Sequence, residues 1–335
     1  VPHRPAAVFA LSDRARREAF PAPVLDRLCR LVHLDPATAF TEFTSPQARA
    51  ALADAEILIS GWGAPRIDRH VLAAAPRLRA IVHAAGTVKL HLDEAVFEQG
   101  IVVSSAAQAN ATPVAEFTVA ALTLGAKDVF ARARRYAGSR PGDGWPAGRG
   151  PGLLGATVGI IGASRVGRLV LERLRELDIT VLLADPYITA DQARALGAEL
   201  TDLDALCGNS ELVSLHAPAL PETRHLLDAR RLALLPDGAL LINTARGSLV
   251  DTGALIQQCA TGRISAVLDV TDPEPLPAGH PLFALDNVFV TPHLAGAEGR
   301  EVCRLGEFAT AEIARFLNGA PLHGQVHLDH LARIA

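Results

Sequence analysis

The stretch Ala156–Pro186, ATVGIIGASRVGRLVLERLRELDITVLLADP, restricts the fold more than any other part of the chain. Val158–Ile161 is a short apolar run and reads as a buried strand. A glycine-bearing turn follows, and then Val166, Leu169, Val170, Leu174 and Leu177 recur at helical spacing. A second apolar run, Ile179–Ala184, ends at Asp185. Strand, tight turn, helix and strand, with an acid about 20 residues beyond the turn, is the order of a dinucleotide-binding βαβ unit. Such a turn aims backbone N–H groups and the positive end of a helix at a pyrophosphate. Asp185, at the carboxyl end of a strand, is placed to accept hydrogen bonds from ribose hydroxyls. Its charge repels a 2′-phosphate, which favours NAD over NADP.

The glycine pattern G-x-G-x-x-G is filled by Gly162, Ser164 and Gly167. Its middle position normally lacks a side chain so that the backbone can approach the pyrophosphate. Ser164 adds a Cβ and a hydroxyl there: either the hydroxyl donates to a phosphate oxygen or the cofactor sits slightly further out. Taken alone, the unit could also be one layer of an α/β sheet with no ligand.

A chain of 335 residues has room for two domains. It is 49% apolar but only 4% aromatic, so the core is built of Ala, Val, Leu and Ile. The net charge of −4 gives no electrostatic case for a nucleic acid or an anionic membrane as partner. No apolar run approaches the roughly 18 residues that span a bilayer, and the apolar segment near the start is too short for a secretory signal. Cys29, Cys207, Cys259 and Cys303 are widely spread without metal-ligand spacing and read as reduced thiols. These features together indicate a cytoplasmic protein without a metal site.

Residues 1–111 alternate short apolar runs (Ala7–Leu11, Glu56–Ser60, Arg79–His83, Ile101–Ser104) with helical patterns such as Pro46–Ala55 and Asp68–Ala75. This alternation implies a mostly parallel sheet covered on both faces. The segment AAGTVK, Ala84–Lys89, follows a strand end, where such folds place ligand loops. The N–H groups around Gly86, Thr87 and Val88 suit a substrate carboxylate, although a plain loop reads equally well. Pro113–Ala137 then continues at helical spacing for six or seven turns, with Pro113 at the first helical position. We read it as the crossover between domains, and Ser139–Gly152, dense in Gly and Pro, as the loop leading into the βαβ unit. Beyond Asp185 the alternation resumes, and Glu301–Leu317 is again helical.

Three polar residues follow three successive apolar strands: Arg246 after LLINTA, Glu274 beyond AVLDV and His293 after VFVTP. Carboxyl ends of parallel strands share one sheet edge, so the three can converge beside a cofactor bound there. An arginine fork clamps a carboxylate and polarises the adjacent carbonyl. A histidine can protonate the oxygen of a ketone that receives hydride, and a glutamate beside it holds the acid form and fixes the tautomer. Singly, each has a plainer reading, as a salt-bridging arginine, a turn acid or a loop histidine. Of the other histidines, His216 reads as structural or as a backbone contact, and His225 and His280 as surface or packing residues. His83 and His91, flanking the presumed substrate loop, are read as not touching substrate.

The segments GIIGASRVGR, SLHAPALPETRHLL, LINTARGSLVD, ALDVTDPEPLP and TPHLAGA together resemble the D-isomer-specific 2-hydroxyacid dehydrogenase family, over residues 55 to 320 or so. The resemblance implies two doubly wound parallel-sheet domains: a flavodoxin-like substrate domain, residues 1–111 completed by 300–335, and a Rossmann NAD-binding domain, residues 112–299, with a cleft between them. It assigns substrate-carboxylate binding to Arg246, acid/base work to His293 and its pairing to Glu274. Cofactor contacts fall to Gly162, Ser164, Arg165, Val166, Gly167, Asp185, Ala217, Pro218, Thr244, Ala245, Asp269, His293 and Gly296. Substrate contacts fall to Gly86, Thr87, Val88 and Arg246. The expected reaction is NAD-dependent interconversion of a small 2-oxo acid and its D-2-hydroxy acid, by a homodimer formed through the NAD domain. The alternative is a non-catalytic NAD(H)-sensing, corepressor-like protein on the same fold. Three departures stand out: Ser164 in the turn, Lys89 where many members carry an acid, and Thr87 where glycine is common. Glutamate rather than glutamine at 274 argues against the formate-oxidising branch, and no appended regulatory domain is expected after the last helix.

Overall fold

Runs of Val, Ile, Leu and Ala without alternation suit strands buried on both faces, as a parallel sheet between helical layers requires. A computed structural model describes residues 4–331 apart from 90, 141, 142 and 149. Its strands are β1 Ala7–Ala10, β2 Ile57–Ser60, β3 Ala80–His83, β4 Val102–Ser105, β5 Thr157–Ile161, β6 Thr180–Ala184, β7 Glu199–Leu200, β8 Leu212–Leu215, β9 Leu240–Asn243, β10 Ser265–Leu268, β11 Val288–Val290 and β12 Gln325–Val326. Every residue of β2, β3, β8 and β9 is buried.

The chain divides into two compact units. One runs to Asn110 and resumes at Ala297; the other is Ala111–Gly296. In the first, the sheet order is β1-β2-β3-β4-β12, parallel except for β12, which pairs antiparallel with β4. Parallel bridges Ala6–His33 and Phe9–Ala39 add residues 33–39 on the outer side of β1, giving the flavodoxin-like order. Phe9, Phe20, Leu28, Leu305 and Ile313 pack on one face of this sheet, and Leu52, Leu58, Leu72 and Ile81 on the other. Each such side chain contributes about 1.5–3 kcal/mol on burial, so Leu305 and Ile313 help bind the Cys303–Leu317 helix to this unit.

The second unit is an all-parallel seven-stranded sheet, β11-β10-β9-β8-β5-β6-β7. The order reverses at β5, and a doubly wound sheet binds its ligand at that point, outside the carboxyl ends of the strands.

The helix expected over Pro113–Ala137 takes a different form. It begins at Ala107, so Pro113 lies inside it, and it stops at Gly125; a second helix covers Val129–Ala137. Close packing causes the break. A Cβ on Gly125 would strike the Leu240 side chain, and Gly150 and Gly152 pack onto the Ala126 carbonyl, which accepts from Gly152 N–H at 2.8 Å. Asp128, with φ +54°, carries the chain around the corner. Within the Gly/Pro-rich segment Ser139–Gly152, positions 141, 142 and 149 lie outside the described residues, and the others form neither helix nor strand.

Candidate active site

Arg246, Glu274 and His293, the three side chains expected to act on substrate, follow the carboxyl ends of β9, β10 and β11, and local hydrogen bonding sets their positions. Asn243, buried at the end of β9, accepts from Ala245 N–H (3.0 Å) and donates through Nδ2 to the Arg246 carbonyl (2.8 Å). That clasp turns the chain so that Arg246 leaves the strand half-buried, with Nη1 donating to the Ala245 carbonyl at 2.6 Å. Burial pushes the Arg246 guanidinium down from its usual value and Glu274 pulls it back up. It stays a cation at neutral pH, since arginine starts so high.

His293 lies three residues past β11 with φ +54°, a left-handed conformation that strains a side-chain-bearing residue. Its N–H donates to the carbonyls of Asp269 (2.9 Å) and Thr291 (3.0 Å). The Asp269 carboxylate, 2% exposed, accepts from Thr291 Oγ1 (2.7 Å), Leu294 N–H (2.8 Å) and Ala295 N–H (2.9 Å). These contacts hold the strained turn in place. The imidazole Nδ1 meets Glu274 Oε1 at 2.5 Å, leaving Nε2 for another partner.

In the turn after β5, Gly162 has φ +97°, and a Cβ there would meet Ala217 N at 2.8 Å. A Cβ on Gly167 would collide with the Gly162 carbonyl oxygen, so both glycines are sterically required. Ser164 has extended backbone and caps the Arg165–Leu174 helix, its Oγ accepting from Gly167 N–H at 3.3 Å. The hydroxyl proton remains for a second acceptor. Asp185 Oδ2 accepts from Ala163 N–H (2.7 Å) and Oδ1 from Tyr187 N–H (2.8 Å).

A profile described as "D-isomer specific 2-hydroxyacid dehydrogenase, NAD binding domain" matches residues 124–295. The chain is 32% identical over 295 residues to a D-3-phosphoglycerate dehydrogenase of Methanocaldococcus jannaschii, an alignment covering 87% of this chain and 55% of that one. It is 35% identical over 259 residues to a glyoxylate reductase of Thermofilum pendens, covering 76% of each. The chain belongs to the D-isomer specific 2-hydroxyacid dehydrogenase family. It spans about half the length of the phosphoglycerate dehydrogenases it matches. Among solved structures, the TT0316 protein of Thermus thermophilus superposes with a TM-score of 0.75 at 32% identity, covering 97% of this chain and all of that one.

The residues of the turn fit NAD. Among the described residues no hydrogen bond engages the N–H groups of Ser164, Arg165 or Val166, and they open a ten-residue helix. A carboxylate with one backbone donor on each oxygen, as on Asp185, keeps lone pairs for ribose hydroxyls. Arg165 is exposed at the first helical position, and Val166 packs partly into the core. Ala217 is buried beside Gly162, and the Pro218 carbonyl accepts from Thr223 Oγ1 at 2.6 Å. Thr118 Oγ1 donates to the Val114 carbonyl, so across its 2.9 Å contact with Thr244 Oγ1 the donor is Thr244. Gly296 is half-buried where the second unit ends.

In the first unit, no hydrogen bond among the described residues engages the N–H groups of Gly86, Thr87 or Val88. Ser105 Oγ holds that loop from below through the carbonyls of Ala85 (3.3 Å) and Gly86. His83 is buried beneath it, with Nδ1 2.9 Å from Ser60 Oγ. The family resemblance does not single out Asn243, Ser105 or Ser60. Their signal in the sequence is a polar residue closing an apolar strand, which must find a partner when buried.

Proposed function

We propose that this dehydrogenase reversibly reduces a 2-oxo acid to the D-2-hydroxy acid. The observation that supports this reading best is the His293–Glu274 contact of 2.5 Å, at the same sheet edge as a half-buried Arg246 cation. NADH, when bound, supplies the hydride delivered to the substrate's C2. Arg246 holds the substrate carboxylate and its guanidinium draws charge toward the neighbouring carbonyl; the N–H groups of Gly86–Val88 are the first unit's own donors for a substrate anion. His293 carries a proton on Nε2 and gives it to the carbonyl oxygen as that oxygen gains charge. Glu274 holds the Nδ1–H and so keeps the ring oriented through the transfer. In the oxidative direction Nε2 takes the hydroxyl proton back.

The four unpaired cysteines suit a cytoplasmic enzyme. The family resemblance implies a homodimer formed through the NAD domain. Retention of the arginine, glutamate and histidine weighs against a purely NAD(H)-sensing role. The test follows NADH absorbance with glyoxylate, pyruvate, hydroxypyruvate and phenylpyruvate, extended to dianionic 2-oxo acids. Turnover of at least one supports the reading; silence across the panel with tight NADH binding would replace it by the sensing role.

A further inference from the structure

Glu312 is 1% exposed on the buried side of the Cys303–Leu317 helix, which also carries Leu305, Ala309 and Ile313. A carboxylate in such a place is costly unless its oxygens find donors, so its partners show what the position is for. Oε1 accepts from His323 N–H at 3.0 Å. Oε2 accepts from Gly324 N–H at 2.9 Å and from Ser104 Oγ at 2.6 Å. Arg315 Nε stands 4.0 Å from Oε1 as a counter-charge. The three donors lie where β4 meets β12. That outer strand is only two residues long, and its own pairing is a weak anchor. Charge-assisted bonds, about twice as strong as neutral ones, make up the difference.

From this join a run of hydrogen bonds continues to the Gly86 loop, all of it within the first unit. The Gly324 carbonyl accepts from Ser105 N–H at 2.9 Å. Gly324 is close-packed there, since a Cβ would strike the Ser105 carbonyl oxygen and lie 2.9 Å from Ser104 Oγ. Ser105 Oγ accepts from Ala107 N–H at 3.2 Å, which leaves its proton for the carbonyls of Ala85 (3.3 Å) and Gly86. Those two carbonyls share peptide planes with the N–H groups of Gly86 and Thr87. In a planar trans peptide the carbonyl and the N–H point in opposite directions. A hydroxyl holding the carbonyls therefore aims both N–H groups away from itself.

We infer that Glu312 is a positioning residue for the substrate loop, acting through Gly324 and Ser105 on the peptides around Gly86. It touches no substrate itself. The inference rests on the proposed reaction for the loop's part in binding a substrate anion, so one arm of its test needs neither substrate nor turnover.

Proton–nitrogen correlation spectra of the full chain, without substrate, read the relay directly. Glu312→Ala should shift the cross-peaks of Gly86 and Thr87 as well as that of Ser105. Glu312→Gln keeps one acceptor oxygen and should shift them less. Val24→Ala, a core truncation elsewhere in the same unit, should leave Gly86 and Thr87 in place. In steady state, with whichever 2-oxo acid is turned over, Glu312→Ala should raise KM roughly two- to tenfold at nearly constant kcat, the scale of one lost hydrogen bond. Two variants on one relay should not add, so in a Ser105→Ala background Glu312→Ala should raise KM by less than about twofold more. Unmoved Gly86 and Thr87 cross-peaks, or equal shifts in Val24→Ala, would overturn the inference. KM effects of Glu312→Ala and Ser105→Ala that multiply would overturn it too. Should Glu312→Ala not fold, Glu312→Gln carries the same comparisons. Shifted cross-peaks with an unchanged KM would uphold the relay and refute the loop's part in substrate binding.

Discussion

In both units a loop at the carboxyl edge of the parallel strands follows a buried serine–histidine pair. Ser60 Oγ and His83 Nδ1 are 2.9 Å apart in the first unit; Ser214 Oγ and His216 Nε2 are 2.9 Å apart in the second. His216 N–H donates to the Ile161 carbonyl at 2.7 Å, which sets the residue under the glycine turn. Above these matched foundations the two loops are built differently. The NAD unit presents committed side chains at strand ends: Arg246, Glu274 and His293, positioned by Asn243 and Asp269. The first unit presents backbone N–H groups and places its side chains underneath, as Ser105 and His83. Replacing a side chain should therefore hit chemistry in the second unit and substrate affinity in the first.

The largest separation is expected at His293. His293→Ala should lower turnover by about 10²–10⁴-fold, the usual loss for a general acid, while NADH still binds. Asn tolerates the left-handed backbone better than Ala, so His293→Asn should show the same loss in a less strained turn. Parallel loss of NADH affinity in both variants, measured by fluorescence titration, would remove His293 from the chemical step.

Asp269 comes next. Its Oδ1 accepts from both Thr291 Oγ1 and Leu294 N–H, and its Oδ2 from Ala295 N–H. Asp269→Asn replaces one acceptor oxygen by a donor, so at least one of these buried donors loses its partner, at about 1–3 kcal/mol. We expect kcat to fall about 10- to 100-fold through the displaced His293 loop. A KM effect alone would show that the loop does not depend on this carboxylate.

The βαβ unit, the strand–helix alternation and the three strand-end residues were legible in the sequence. Each rests on local order, with apolar runs, glycines and an acid at fixed spacing. The supports were not. That Asp269 is spent on three donors of the His293 turn depends on contacts reaching 22–26 residues along the chain. That Ser105 lies under Gly86 depends on strand pairing, and an amide-lined loop leaves no residue-type signature. The break at Ala126 was hidden for a related reason: its cause is the approach of Leu240, Gly150 and Gly152, none of them nearby in sequence.

The two buried histidines test the shared foundation. Burial pushes each imidazole from 6.5 down to about 3. The unfolded chain therefore takes up these protons from about pH 6.5 downward while the folded chain resists until about pH 3. The unfolded state binds more protons in that window, and stability falls with pH by about 1.4 kcal/mol per pH unit for each histidine. At pH 5 this amounts to about 2 kcal/mol each, measurable as a lower urea midpoint than at pH 7.5. His83→Asn and His216→Asn should each flatten the profile, and an unchanged slope in either would show that its imidazole is solvated. The comparison predicts a further split, with His83→Asn raising the KM for the oxo acid and His216→Asn weakening NADH.

A smaller effect is expected at Ser105, whose hydroxyl holds the carbonyls of Ala85 and Gly86. Ser105→Ala removes about 0.5–1.5 kcal/mol of net hydrogen bonding, so the oxo-acid KM should rise roughly two- to tenfold at nearly constant kcat. A fall in kcat with unchanged KM would erase the proposed contrast between the two loops.

Ser164→Gly should have the smallest effect. Ser164 stands where the backbone normally comes closest to the pyrophosphate, yet its φ of −63° is one that any residue adopts. Its Oγ already caps the helix through Gly167 N–H, and a serine cap exchanged for glycine costs only a few tenths of a kcal/mol. Restoring glycine thus trades a weak cap for a closer approach, and NAD should bind more tightly by no more than about 1–2 kcal/mol. Weakening of NAD by more than that range would make the hydroxyl a principal phosphate ligand. The second unit would then resemble the first less in its foundations and depend still more on side chains for recognition.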